Sequence, residues 1–241
     1  MKKLSISEVF YSIQGEGITS GYPAVFVRLG GCNLMCGGMG TQFDKQLYNE
    51  ATWRCDTIEV WMKSKAININ NVLSQNEHKA IINGANIIIT GGEPLIQQNA
   101  LKTFIEYIDS LYKNVYIEIE TNGTITPSDY LTTRINQWNC SPKINNSGNE
   151  KIMFYHIDVI KKLNKLNTIF KFVVSNEKDW QNIETLYMPL IKKEKAWLMP
   201  SGENKNLLNE SKQIVAELCK KHYIKYTNRL HIEIWNKKTG V

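Results

Sequence analysis

The chain of 241 residues is long enough for one large α/β domain or two small ones, and 42% apolar against 22% charged residues exclude a disordered segment. Its 6 Pro and 15 Gly exclude a fibrous composition, and apolar strings such as Ile87-Ile88-Ile89 fall far below the ~20 residues that span a bilayer. The net charge of +6 comes from 25 Lys scattered against 4 Arg, without the basic stripe of a direct nucleic-acid binder, and no apolar signal follows the Met-Lys-Lys start, so a cytoplasmic protein is expected.

In chain order, 24–29, 86–90, 115–120, 138–140, 169–175 and 196–199 read as strands. Helices are expected between them. Leu101, Phe104, Ile105, Ile108 and Leu111 recur at helical spacing within 99–114, Glu177-Lys178-Asp179-Trp180 opens another helix, and Leu207, Leu208, Ser211, Ile214, Val215 and Leu218 mark a last one. Strands alternating with helices at this spacing predict βαβ units and a mostly parallel sheet, with ligand sites at the carboxyl ends of its strands. No repeat or linker divides the chain, so one domain over 1–241 is expected. The polar stretch 41–53 lacks clear periodicity and reads as a surface insertion.

Four of these strands end in ligand-type chemistry. The first runs into Gly30-Gly31-Cys32-Asn33-Leu34-Met35-Cys36, and a third thiol follows at Cys55. Five Cys in a reducing compartment are no disulfide framework; Cys140 and Cys219 read as buried apolar residues. Three thiolates in one loop suit zinc or an iron–sulfur cluster, and the lack of a local fourth Cys or His is what a [4Fe–4S] cluster with one open iron needs. The second strand ends in Thr90-Gly91-Gly92-Glu93-Pro94, where two glycines admit a close backbone approach and Glu93 can pair with an ammonium group. The third ends in Glu118-Ile119-Glu120-Thr121-Asn122-Gly123, with both carboxylates on one face, which is costly when buried unless polar groups meet them. The fourth ends in Cys140-Ser141-Pro142-Lys143.

Together these motifs resemble the radical S-adenosylmethionine enzymes. Phe10-Tyr11-Ser12-Ile13-Gln14-Gly15-Glu16-Gly17, Phe26-Val27-Arg28, Cys55-Asp56-Thr57, Ser141-Pro142-Lys143 and Arg229-Leu230-His231-Ile232-Glu233-Ile234-Trp235 are similar to the 7-carboxy-7-deazaguanine synthases of the 7-deazapurine (queuosine precursor) pathway. The resemblance implies a partial, modified (β/α) barrel, a [4Fe–4S] cluster on Cys32, Cys36 and Cys55, and S-adenosylmethionine held by Gly91, Gly92, Glu93, Glu120, Ser141 and Lys143. It implies that a 5′-deoxyadenosyl radical takes hydrogen from 6-carboxy-5,6,7,8-tetrahydropterin, whose ring contracts with loss of ammonia. Gln14, Glu16, Arg28, Thr90 and His231 would bind that substrate, and Thr57 would give its hydroxyl to a magnesium ion. A protein reductant such as flavodoxin or ferredoxin and a homodimer are family expectations.

One departure is plain. The common spacing is Cys-x3-Cys-x2-Cys, whereas eighteen residues separate Cys36 from Cys55 here. About sixteen extra residues, 37–53, must loop out, at a closure cost that grows by only about 0.6 kcal/mol per doubling of length. Two other classes stay open on sequence alone. A glycyl-radical activase shares the cysteine loop and Gly91-Gly92-Glu93 but has no need of Gln14-Gly15-Glu16-Gly17 or the 229–235 ending. A non-catalytic metal-binding module would need a closed fourth ligand.

Overall fold

A run of β-branched and aromatic residues favours an extended strand, and where such runs alternate with amphipathic helices the helices must cover the strands. The computed structural model describes residues 2–238, Gly240 and Val241; Met1 and Thr239 lie outside the described residues. Among the described residues nine strands form one sheet: β1 (Lys3–Ile13), β2 (Pro23–Leu29), β3 (Lys65–Asn68), β4 (Asn86–Gly91), β5 (Ile117–Thr121), β6 (Gln137–Cys140), β7 (Thr168–Val174), β8 (Ala196–Pro200) and β9 (Lys225–Tyr226). Their order is β3-β1-β2-β4-β5-β6-β7-β8-β9. β1 is antiparallel to β2 and β3, and every pair from β2 to β9 is parallel. The carboxyl ends of β2, β4, β5 and β6 therefore stand side by side.

Alternation divides the sheet into two unlike faces. Val25, Val27, Leu29, Ile87, Ile89, Ile117, Ile119, Trp138, Phe170 and Phe172 belong to the main core. The opposite face carries Phe26, Arg28, Thr90, Glu118, Glu120, Asn139 and Lys171, which the strand registers place on neighbouring rungs. On the core side the helix Gln98–Leu111 buries Leu101, Phe104, Ile105 and Ile108 completely, each contributing about 1.5–3 kcal/mol. Helices at Glu177–Leu186 and Lys205–His222 begin at Asn176 and Asn204, whose side chains accept first-turn amides, contacts of about 1 kcal/mol each.

The expected strands and helices are present, β1 and the short strands β3 and β9 are additions, and the addition of β1 has a physical cause. Its register slips between Ile6, opposite Leu29, and Glu8, opposite Arg28. A bulge of this kind moves later side chains to the other face, so no unbroken period-2 pattern marks the strand. No helix among the described residues is long and apolar enough to cross a membrane.

Candidate active site

Beyond β2 the chain turns through Gly31, in the left-handed region at φ +85°, and delivers Cys32 to a cleft of about 760 Å³. Cys36 and Cys55 line the same cleft. The Cys55 amide donates to the Cys36 carbonyl at 3.1 Å, so the long gap between them closes on itself. Burial pushes the Cys32 thiol up to about 11 and the Cys36 thiol up to about 12. Among the described residues, no group of three or more His, Cys, Asp or Glu is already drawn together to hold a metal ion. Three thiols facing one roomy cleft fit a cluster of several irons with an open corner better than tetrahedral zinc. Asn149 donates to Cys36 Sγ at 3.6 Å and accepts from the Met35 amide at 2.9 Å, which fixes the middle of the loop.

The stretch 37–53 is a surface segment that also builds a wall. Phe43 is 84% exposed, yet Thr41 is fully buried. The Gly37 amide donates to the Ser147 carbonyl, the Tyr48 amide to Gly37 and the Thr52 amide to Asn146. Trp53 donates from Nε1 to Asn146 Oδ1 at 3.0 Å, lines the cleft and lies 5.6 Å under the Lys143 ammonium. These anchors are mostly backbone bonds, which leave no apolar period to read.

Gly91 and Gly92 serve the packing of two strand ends. A Cβ on Gly91 would fall 2.2 Å from the Leu29 carbonyl oxygen at φ +138°, and one on Gly92 would fall 2.0 Å from that of Gly31. Gly91→Ala is expected to destabilise the fold by more than about 2 kcal/mol and to lower iron retention. Urea unfolding checks this; an unchanged midpoint would refute the packing account.

Glu93 is fully buried, and its carboxylate accepts from the Leu95 amide (3.0 Å), Thr121 Oγ1 (2.9 Å) and the Asn122 amide (2.7 Å). Burial holds its pKa above the ordinary value of 4.5. It ties the end of β4 to the end of β5 and lines neither cavity described here, so its expected pairing with a ligand is not displayed. Glu118 is likewise met by protein groups, Asn86 and Asn139. Ser141 and Lys143 line the cleft, joined at 3.1 Å.

A second cavity of about 280 Å³ is lined by Gln14, Glu16, Arg28, Thr57, Thr90, Glu120 and His231 among others. All five expected substrate residues thus meet in one place. Gln14 Oε1 accepts the amides of Gly15 and Glu16, which shapes the turn that presents Glu16. His231 sits against Gly15, where a Cβ would fall 2.2 Å from Nδ1, and burial lowers its pKa below 6.5. Arg28 donates from Nε to Glu8 Oε1 at 2.7 Å. Thr57 Oγ1 lies 3.4 Å from Cys55 Sγ, between the two cavities.

Glu16, Asp56, Thr90, Glu120 and Arg229 line both cavities. Lys171 donates to Glu16 Oε2 at 2.7 Å and lies 3.8 Å from Glu120 Oε1, while Arg229 reaches Glu16 Oε1 at 3.3 Å and also pairs with Asp56. Lys171 was not among the expected site residues. Its signal is a lone charge inside an apolar strand, Ile169-Phe170-Lys171-Phe172-Val173, at a position facing away from the core.

Burial opposes the charge on Glu16, but Lys171, Arg229 and His231 override it and hold the carboxyl well below its ordinary 4.5. Below pH 4.5 the unfolded chain binds this proton first, so the stability that Glu16 contributes is complete above that pH and lost as pH falls through the lowered value. Urea midpoints between pH 6 and pH 3 are expected to fall less steeply in Glu16→Gln than in the parent protein. Equal slopes would show that the cluster stores no such stability.

A sequence-family model described as "4Fe-4S single cluster domain" matches residues 13–131. The chain is 30% identical to a 7-carboxy-7-deazaguanine synthase of Halobacterium salinarum over 97% of its own length and 91% of that protein. It is 29% identical to the enzyme of that name from Pyrobaculum aerophilum, over 99% and 97% of the two chains. Among solved structures it is similar to QueE from Escherichia coli, with a TM-score of 0.59 at 21% identity and 95% coverage of both chains, a likeness of fold.

Proposed function

This chain belongs to the 7-carboxy-7-deazaguanine synthase family, and from that premise we propose how its two cavities divide the reaction. It is a radical S-adenosylmethionine enzyme that converts 6-carboxy-5,6,7,8-tetrahydropterin to 7-carboxy-7-deazaguanine with loss of ammonia. The observation that carries the division is the shared wall of Glu16, Thr90 and Glu120 between a cleft with three thiols and a pocket with an arginine.

Cys32, Cys36 and Cys55 hold the [4Fe–4S] cluster in this reading, which when bound supplies the electron that cleaves S-adenosylmethionine. Gly91 and Gly92 offer backbone to the methionyl end of the cofactor. Glu93 has one acceptor position left on Oε2 for the amine, which the surrounding loop must uncover. Glu120 takes the ribose hydroxyls, and Ser141 and Lys143 the remaining polar edges. In the smaller pocket Arg28 and His231 face the substrate carboxylate and ring, and Gln14, Glu16 and Thr90 its amino-pyrimidinone edge. Thr57 presents its hydroxyl where the carboxylate enters, and a magnesium ion there would draw its other oxygens from substrate and water.

A partial barrel within a single domain, with 37–53 inserted in the cluster loop, is the architecture of this reading. The path after β1 supports it. A Cβ on Gly17 would touch Ile169 of β7 and Asn139 of β6. Four residues reach only about 14 Å from Ile13, while four flat strand spacings need about 19 Å. That shortfall favours a sheet that curves around its polar face. A protein reductant such as flavodoxin or ferredoxin and a homodimeric assembly complete the proposal.

The test is anaerobic incubation of the reconstituted protein with the tetrahydropterin, S-adenosylmethionine and dithionite. 7-Carboxy-7-deazaguanine and ammonium are expected in equal amounts. Cofactor cleavage that never yields the deazaguanine would favour an activase and overturn the reading.

A further inference from the structure

The junction of the two cavities is a row of charges that no single strand could assemble. Glu16 comes from the turn after β1, Glu120 from the end of β5, Lys171 from the middle of β7 and Arg229 from the start of the last helix, Leu230–Trp235. Lys171 is 2% exposed, and its ammonium touches Glu16 at 2.7 Å and approaches Glu120 at 3.8 Å. Burial disfavours that charge, but Glu16 and Glu120 hold its pKa above the ordinary 10.5. Thr90 Oγ1 fixes the other Glu120 oxygen at 2.7 Å, and Arg229 fixes the other Glu16 oxygen. Arg229 is itself tied to Asp56 and to the Gly202 carbonyl, away from Glu120.

We propose that Lys171 is a positioning residue that couples the cofactor cleft to the substrate pocket, by making the placement of Glu16 depend on that of Glu120. The inference rests on the assignment of Glu120 to cofactor and Glu16 to substrate. A flexible ammonium with three donors can follow either carboxylate, and at 2% exposure it is held chiefly by those two partners. When a ligand draws Glu120 into line, the ammonium moves with it and Glu16 follows. Without the cation the two carboxylates repel each other, and the links left between the sites are the neutral bonds that Gln14 Nε2 (3.4 Å) and Thr90 Oγ1 (2.7 Å) donate to Glu120. The consequence is a binding coupling between sites, which must be reciprocal.

The experiment uses the reconstituted full chain without reductant, so that nothing turns over. Binding of 6-carboxypterin, the oxidised and fluorescent analogue, is titrated with and without saturating S-adenosylmethionine. In the parent protein the cofactor is expected to tighten analogue binding at least about fivefold. In Lys171→Met, which keeps the stem and loses the charge, that ratio is expected to fall at least about twofold toward one; Lys171→Gln serves in case the Met variant does not fold. An unchanged ratio in a folded variant, or a ratio of one in the parent, overturns the inference. A parent enzyme that makes no 7-carboxy-7-deazaguanine would instead defeat the functional reading beneath it.

Discussion

Cys55→Ala is expected to lose most of its cluster iron and to lower turnover at least a hundredfold, while Cys140→Ala and Cys219→Ala keep their iron. The three thiols differ in where the fold sends them. Cys55 lines the cleft with Cys32 and Cys36, and its amide is bonded to the Cys36 carbonyl. Cys140 is fully buried in the main core, where a Cβ on Gly123 would touch its sulfur at 2.7 Å. Cys219 lies on the helix Lys205–His222, with Sγ 3.6 Å from the Lys225 carbonyl oxygen. Neither can reach the cleft without unfolding its element. The gap between Cys36 and Cys55 is no obstacle, because the amides of Gly37 and Thr52 pin the segment to Ser147 and Asn146. Iron and sulfide content after anaerobic reconstitution is the measurement. Full iron in Cys55→Ala would show that the third ligand lies elsewhere.

The strand ends were legible because their residue types are improbable there for any other reason. Three Cys beside glycines and a glutamate after two glycines stand out against buried strands, and the parallel order brings them together. The glycines carry a second meaning that a sequence does not display: Gly91 and Gly92 are demanded by the backbone of the neighbouring strand and turn as well as by any ligand. Glu93 and Glu118 show the same limit. A carboxylate at a strand end invites a ligand, but each meets amides or hydroxyls of the chain first. Lys171 escaped for the opposite reason, since its partners lie 155 and 51 positions away, on the turn after β1 and at the end of β5. Contacts made across the polar face join residues far apart in sequence, which no local pattern encodes.

Arg28→Ala is expected to weaken productive substrate binding by about 2–5 kcal/mol, because a desolvated carboxylate is left short of its partner. Arg28 stands on the polar face beside Thr90, with Cα atoms paired across β2 and β4, and it lines the smaller cavity. Its Nε is already committed to Glu8, which orients the guanidinium and leaves the Nη edge for a ligand. A bidentate grip through Nε is therefore not available while Glu8 holds. Arg28→Lys keeps the charge but cannot bond Glu8 and a ligand in the same plane, so it is expected to bind more weakly than the parent and better than Arg28→Ala. The Arg28–Glu8 pair is 16% and 23% exposed, so losing it costs the fold more than the ~0–1 kcal/mol of an exposed pair, and a urea midpoint showing that each variant is folded is the control. Cleavage of S-adenosylmethionine without substrate is expected to stay near the parent rate in both, since Arg28 lines the smaller cavity and not the thiol cleft. Equal loss of cleavage and turnover would move Arg28 out of the substrate pocket, and parent-like turnover in Arg28→Ala would remove it from the reaction.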